Sequence, residues 1–191
     1  MITFILNNKN IKTPQHSGMT LLAFVRYEHR HTGTKIGCRE GDCNACTVLA
    51  GTLENDRIQY QGITSCISPL GNAHGKHIVS IEGTNLQNKL TAQQEAMKPN
   101  YATQCGFWIP GFVVSLTGFA LSNSEKNYSN ALDAIGGNIC RCTGYKAIEK
   151  AAHQVVSNLK DKTEDYSFNW LIENEFVHTA EDVVWRRSKL G

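Results

Sequence analysis

Four cysteines, Cys38, Cys43, Cys46 and Cys66, limit what this chain can fold into more than any other feature. Three fall in one short loop, Cys38-Arg39-Glu40-Gly41-Asp42-Cys43-Asn44-Ala45-Cys46, and the fourth lies on a separate segment. Intervals of four, two and nineteen residues are those that a [2Fe–2S] cluster asks of a chain, because four thiolates must converge on two irons. Gly37, Gly41 and Asp42 let the loop turn sharply and aim backbone N–H groups at sulfur, where such bonds tune the potential. A structural zinc site or a set of buried free thiols is the alternative. Zinc sites of four cysteines usually pair two C-x-x-C-like knuckles, and these intervals suit that pattern poorly.

A second group of cysteines follows in Gln104-Cys105-Gly106-Phe107-Trp108-Ile109-Pro110-Gly111 and Asn138-Ile139-Cys140-Arg141-Cys142-Thr143-Gly144-Tyr145. With both groups in view, the chain from Ile2 to about Leu159 resembles the iron–sulfur portion of the xanthine dehydrogenase and aldehyde oxidase family of molybdenum hydroxylases. The resemblance implies a ferredoxin-like domain with one [2Fe–2S] cluster, then a small helical bundle with another. The first motif matches the family ligand for ligand.

The second does not. Trp108 stands where the family has a cysteine, and Ile109 where it usually has threonine. An indole N–H only donates and has no lone pair for a metal, so Cys105, Cys140 and Cys142 are left as three ligands where four are needed. The added bulk at a position meant for sulfur also costs about 1–3 kcal/mol of fit. The expectation is a second cluster that is absent or labile. Asn44 replaces the family's usual glycine between the second and third thiols; in a left-handed backbone asparagine costs about 1 kcal/mol or less, so the first cluster should survive.

Seven cysteines in 191 residues could suggest a disulfide scaffold, yet the number is odd and the intervals are those of metal ligands. Ile2 to Leu6 is only a strand's length of apolar residues, with no basic region before it and no cleavage site after it, which points to the reducing cytoplasm. The longest apolar stretch, Phe107 to Leu121, is too short to span a membrane and is interrupted by Pro110, Gly111 and Gly118. A net charge of +2, with Lys and Arg scattered among Asp and Glu, gives no sign of a nucleic-acid partner. Without G-x-G-x-x-G, P-loop or G-x-S-x-G motifs, the chain offers no nucleotide site and no hydrolase nucleophile.

The fold expected is α+β, a β-grasp ferredoxin-like domain over 1–84, a four-helix bundle over 90–160 and a helical tail over 165–191. Ile2–Leu6 and Ile11–Thr13 read as a hairpin around Asn7-Asn8-Lys9-Asn10. Thr20 caps a helix to about Arg30, with Leu21, Leu22, Val25 and His29 at helical spacing. Strands are expected at Thr47–Thr52, Arg57–Tyr60 and His77–Ile81. Asn85–Thr91 is a polar connection, and Thr91-Ala92-Gln93-Gln94 is a capping box opening a helix toward Lys98. Pro110 starts the next helix, Ser129 caps a third through Ile135, and a fourth runs from Thr143-Gly144 to about Leu159. His29 is a helix-face residue, and His74 with His77 sits in a Gly-rich surface turn as an incomplete metal site.

The tail, Glu175 to Gly191 above all, resembles a segment of the C-terminal domain of FAD-dependent glycerol-3-phosphate dehydrogenases, but it cannot carry that activity without a flavin domain. Its residues read as an amphipathic helix capped by Thr179, with Val183, Val184 and Trp185 on one face. By the molybdenum hydroxylase resemblance, Gln104 and Cys142 approach a molybdenum–pterin centre, and the cluster of Cys38, Cys43, Cys46 and Cys66 hands electrons to FAD. Both groups would lie on partner subunits or domains, so this chain is expected to conduct electrons without converting substrate. A redox-incompetent interface module and a free one-cluster ferredoxin stay open as alternatives.

Overall fold

The computed structural model of the protein describes residues 1–54, 57–85 and 90–161. The expected tail over 165–191, with Thr179 and Trp185, and positions 86–89 of the polar connection lie outside the described residues.

β1 (Ile2–Leu6) and β2 (Lys9–Thr13) pair antiparallel about Asn7, whose φ of 54° puts it in the left-handed region that asparagine tolerates. Thr20 then caps α1 (Leu21–Ala23), its hydroxyl accepting the Ala23 N–H at 3.2 Å. The helix expected to reach Arg30 does not stay α-helical: Phe24–Glu28 widens into a π-helical segment that ends at His29. Widening turns Phe24 and Val25 into the sheet while Tyr27 and Glu28 face water.

β3 (Thr47–Glu54) and β4 (Arg57–Thr64) form a longer ladder than the sequence pattern predicts, and β5 (His77–Val79) closes a five-stranded sheet of order β2-β1-β5-β3-β4. β5 runs parallel to β1 and antiparallel to β3. Phe4, Leu6, Leu21, Phe24, Val25, Val48, Leu70 and Ile78 fill the space between sheet and helical segment. This is the β-grasp arrangement.

Among the described residues four helices follow: α2 (Ala92–Met97), α3 (Ile109–Leu121), α4 (Tyr128–Ile135) and α5 (Lys146–Asp161). The Thr91–Gln94 capping box is formed in both directions. The cap of α4 is Asn127, whose side chain accepts the Asn130 N–H, and not Ser129, which lies inside the helix. Ile148, Ala151, Ala152 and Val155 of α5 are fully covered by Phe112, Leu116, Ile135 and their neighbours.

α3 joins the two halves. Val114 packs with Leu49, Tyr60 and Val79 on the face of the sheet opposite α1, so β3 is buried on both sides. A side chain at Gly118 would stand 2.8 Å from Leu49 Cδ2, which is why a glycine lets helix and strand approach. Burial nearly all round α3 matches its apolar composition.

The surface position expected for His77 beside His74 is corrected by the sheet. His74 is exposed and accepts the Thr3 N–H through Nδ1, whereas His77 is 5% exposed at the start of β5. His77 Nε2 donates to the Asn7 carbonyl at 2.7 Å, and Nδ1 accepts from the Tyr60 hydroxyl at 2.7 Å, the pairing of a neutral imidazole. Burial holds its pKa down to about 4, against a weaker opposing effect of the Asn7 carbonyl. The unfolded chain therefore takes up this proton near pH 6.5 while the folded one resists it to about pH 4. Stability is fully present above pH 6.5 and falls as the pH drops toward 4, by about 3 kcal/mol in all. In denaturation midpoints measured across this range, His77→Gln should flatten the slope, since glutamine keeps a donor for Asn7 and does not titrate; an unchanged slope would place the proton uptake elsewhere.

Candidate metal centre

The loop between the π-helical segment and β3 carries three of the four predicted thiols, and Cys66 follows β4. Its path uses four left-handed residues: Arg30 at φ 57°, Arg39 at 65°, Gly41 at 95° and Asn44 at 50°. Asn44 thus occupies the conformation anticipated for it. Arg39 was missed, since nothing in an arginine signals a positive φ; its guanidinium donates to the Tyr27 hydroxyl at 3.3 Å.

The thiols stand as two pairs. Cys38 lies beside Cys43, and Cys46 packs with Cys66 and Leu22 in a small cluster of its own. Among the described residues no three Cys, His, Asp or Glu side chains converge on a point that one ion could occupy. A zinc ion needs its four donors around one point, whereas two irons take theirs as two pairs. Backbone donors face the sulfurs: the Cys38 N–H reaches Cys43 Sγ at 3.4 Å and the Glu40 N–H reaches Cys38 Sγ at 3.5 Å. The Glu40 N–H chiefly, with others behind it, holds the Cys38 thiol down to about 7. Burial pushes Cys43 up and drives Cys66 up to about 12, with the Gly41 N–H opposing the shift at Cys66. The donor set and its inward N–H groups fit a [2Fe–2S] cluster, with Cys43, Cys46 and Cys66 covered and Cys38 at the half-open edge.

The second site is asymmetric. Cys105 and Cys142 are both exposed and lie near enough for each to shift the other's pKa. The Phe107 N–H holds the Cys105 thiol down, and Cys105 in turn raises Cys142. Cys140 is buried, accepting from Thr143 Oγ1 at 3.2 Å, while its own N–H donates to the Tyr145 hydroxyl at 3.0 Å. Position 108 holds no thiol to pair with it. Trp108 is instead half-buried, packed on the same core as Cys140, with Phe107 edge-on at 5.0 Å. Gln104 lies exposed beside Cys105.

Non-cysteine residues of both motifs, with Ser115 and Thr64 from outside them, tie the sites together. Asn138 Nδ2 donates to the Asn44 carbonyl at 3.1 Å, Ser115 Oγ to Asn138 Oδ1 at 2.9 Å, and the Ile139 N–H to the Cys43 carbonyl at 3.2 Å. Thr64 Oγ1 donates to Asn44 Oδ1 at 2.9 Å. The sequence carries no mark of this seam, because the burial of Asn138, 3% exposed, arises only in the folded protein.

Comparison with known proteins agrees with this geometry. A model of the 2Fe-2S iron-sulfur cluster binding domain matches residues 4–71, and one of a [2Fe-2S] binding domain matches residues 80–153. The xanthine dehydrogenase of Blastobotrys adeninivorans is 39% identical over 159 residues, which is 80% of this chain and 11% of that protein. Aldehyde oxidase 4 of Cavia porcellus is 33% identical over 162 residues, 82% of this chain and 12% of its own length. This chain therefore spans only a small part of the curated relatives it matches. Among solved structures, quinoline 2-oxidoreductase from Pseudomonas putida 86 superposes with a TM-score of 0.72 at 30% identity, covering 86% of this chain and 97% of the matched one. The aldehyde oxidoreductase from Desulfovibrio desulfuricans ATCC 27774 gives 0.72 at 28% identity, over 87% of this chain and 18% of that one. No described helix is long and apolar enough to cross a membrane. Two iron–sulfur domains in this order, and overlap with nearly the whole of one chain of quinoline 2-oxidoreductase, show that this protein belongs to the iron–sulfur components of the xanthine dehydrogenase and aldehyde oxidase family of molybdenum hydroxylases.

Proposed function

We propose that this chain is the electron-transfer component of a xanthine dehydrogenase-like molybdenum hydroxylase and that it holds one [2Fe–2S] cluster on Cys38, Cys43, Cys46 and Cys66. The paired thiols with N–H groups turned toward them carry this reading. When bound, such a cluster accepts and gives up one electron at a time. The protein's part is to keep Cys43, Cys46 and Cys66 from water, to offset thiolate charge with the Cys38, Glu40 and Gly41 N–H groups, and to leave the Cys38 edge open. Tyr27 and Ile67, both largely exposed, flank that edge and offer apolar surface to the domain that would carry FAD. Gln104 with Cys105 and Cys142 forms the opposite approach, toward a large molybdenum–pterin subunit. The division into a ferredoxin-like unit over 1–84 and a bundle over 90–160 belongs to the same reading, as does a cytoplasmic location.

The test is reconstitution with a large molybdenum subunit and an FAD subunit of this family. Addition of the chain should join the three in one complex and allow an aldehyde or purine substrate to reduce the flavin. Complex formation without flavin reduction would make the chain a non-conducting interface module. A chain that binds neither subunit yet exchanges electrons with other reductases would be a free ferredoxin.

A further inference from the structure

Trp108 touches the first site as well as the second. A side chain built at Gly37 would meet Cys43 Sγ at 2.6 Å and the outer edge of the Trp108 ring, Cζ3 and Cη2, at 2.9 and 3.0 Å. Sulfur and indole edge thus line the same space beside Gly37, near enough to one another for a sulfur–aromatic interaction. Gly37 has no unusual φ, so what requires glycine there is this convergence. The ring is held from behind by Phe107 and from below by the helical core. Trp108 also sits at the start of α3, whose next turn places Gly111 against the Asn44 carbonyl in the cluster loop. The docking of α3 on that loop therefore holds the indole edge beside Gly37 and Cys43.

We infer that Trp108 is a lid on the first cluster, a positioning residue whose indole shields the Cys43 ligand sulfur from water and thereby sets the cluster's reduction potential. The inference rests on the one-cluster reading above. Reduction adds one negative charge to the cluster and its thiolates, and a hydrocarbon ring in place of water at a ligand sulfur disfavours the more charged form. The lid keeps the potential lower than an open loop would. Cys43, at 5% exposed, is the ligand whose sulfur lies beside this ring, while Cys38 stays half-open.

The experiment is a potentiometric titration of the full-length iron-loaded protein as wild type, Trp108→Phe and Trp108→Ala, with the rate of iron loss to a ferrous chelator followed in parallel. Trp108→Ala should favour the reduced form by about three- to tenfold, tenfold being 59 mV for one electron, and should lose iron faster. Trp108→Phe, which keeps a ring over the sulfur, should stay close to wild type in both. A cluster retained by Trp108→Phe but lost from Trp108→Ala supports the lid equally. Equal potentials in all three proteins, or the same shift or loss in both variants, would overturn it. Failure of wild type to take up about two irons would instead refute the one-cluster reading itself.

Discussion

Trp108→Cys should raise the iron content from about two to about four per chain, with a second paramagnetic signal on reduction, since each [2Fe–2S] cluster brings two irons. The structure sharpens the reason. Cys105 and Cys142 lie close enough to shift one another's pKa, and we expect them to serve one iron of the second site. The other half has Cys140 enclosed and oriented by Thr143 and Tyr145, and lacks only the thiolate that position 108 would supply from the start of α3. Both positions pack on one core. Ile109→Thr alone adds no ligand and should leave the count at about two. Four irons in the unaltered protein would mean that another group completes the site. Two irons in Trp108→Cys would mean that packing, and not ligand number, is the defect.

Cys43→Ser should remove the first cluster, taking iron from about two per chain to near none and bleaching the brown colour. Serine keeps the backbone, whose carbonyl accepts the Ile139 N–H, so the seam between the halves should persist and the protein should stay folded by circular dichroism. Cys105→Ser provides the contrast. It alters a site that is already one ligand short and should leave iron content unchanged, with loss of iron on that change showing that the exposed pair holds metal after all.

The ligand spacing was legible because it is a property of a short loop: intervals of four and two residues limit which sulfurs can face one another whatever surrounds them. The same holds for the Thr91–Gln94 capping box and for Thr20, where side chain and backbone partner lie within three residues. Asn127 was overlooked in favour of Ser129 because both are good caps and only the chain's approach to α4 chooses between them. The pattern of β3 showed a strand but could not say that both faces are covered, since that depends on where α3 lies. His77 likewise read as part of a polar turn, and its burial follows from β5 being inserted between β1 and β3.

Sequence alone thus determined that this protein offers four well-spaced thiols at one site and three at another, because ligand identity and short-range spacing are written directly in the chain. Only the tertiary structure decided that the thiols stand in pairs, that Asn138 and Asn44 join the two halves, and that Trp108, seventy-one positions from Gly37, lies against the first site as well as the second. Those contacts arise when α3 docks on the cluster loop and the sheet, and the fit of two surfaces so far apart in the chain leaves no periodicity or spacing to read.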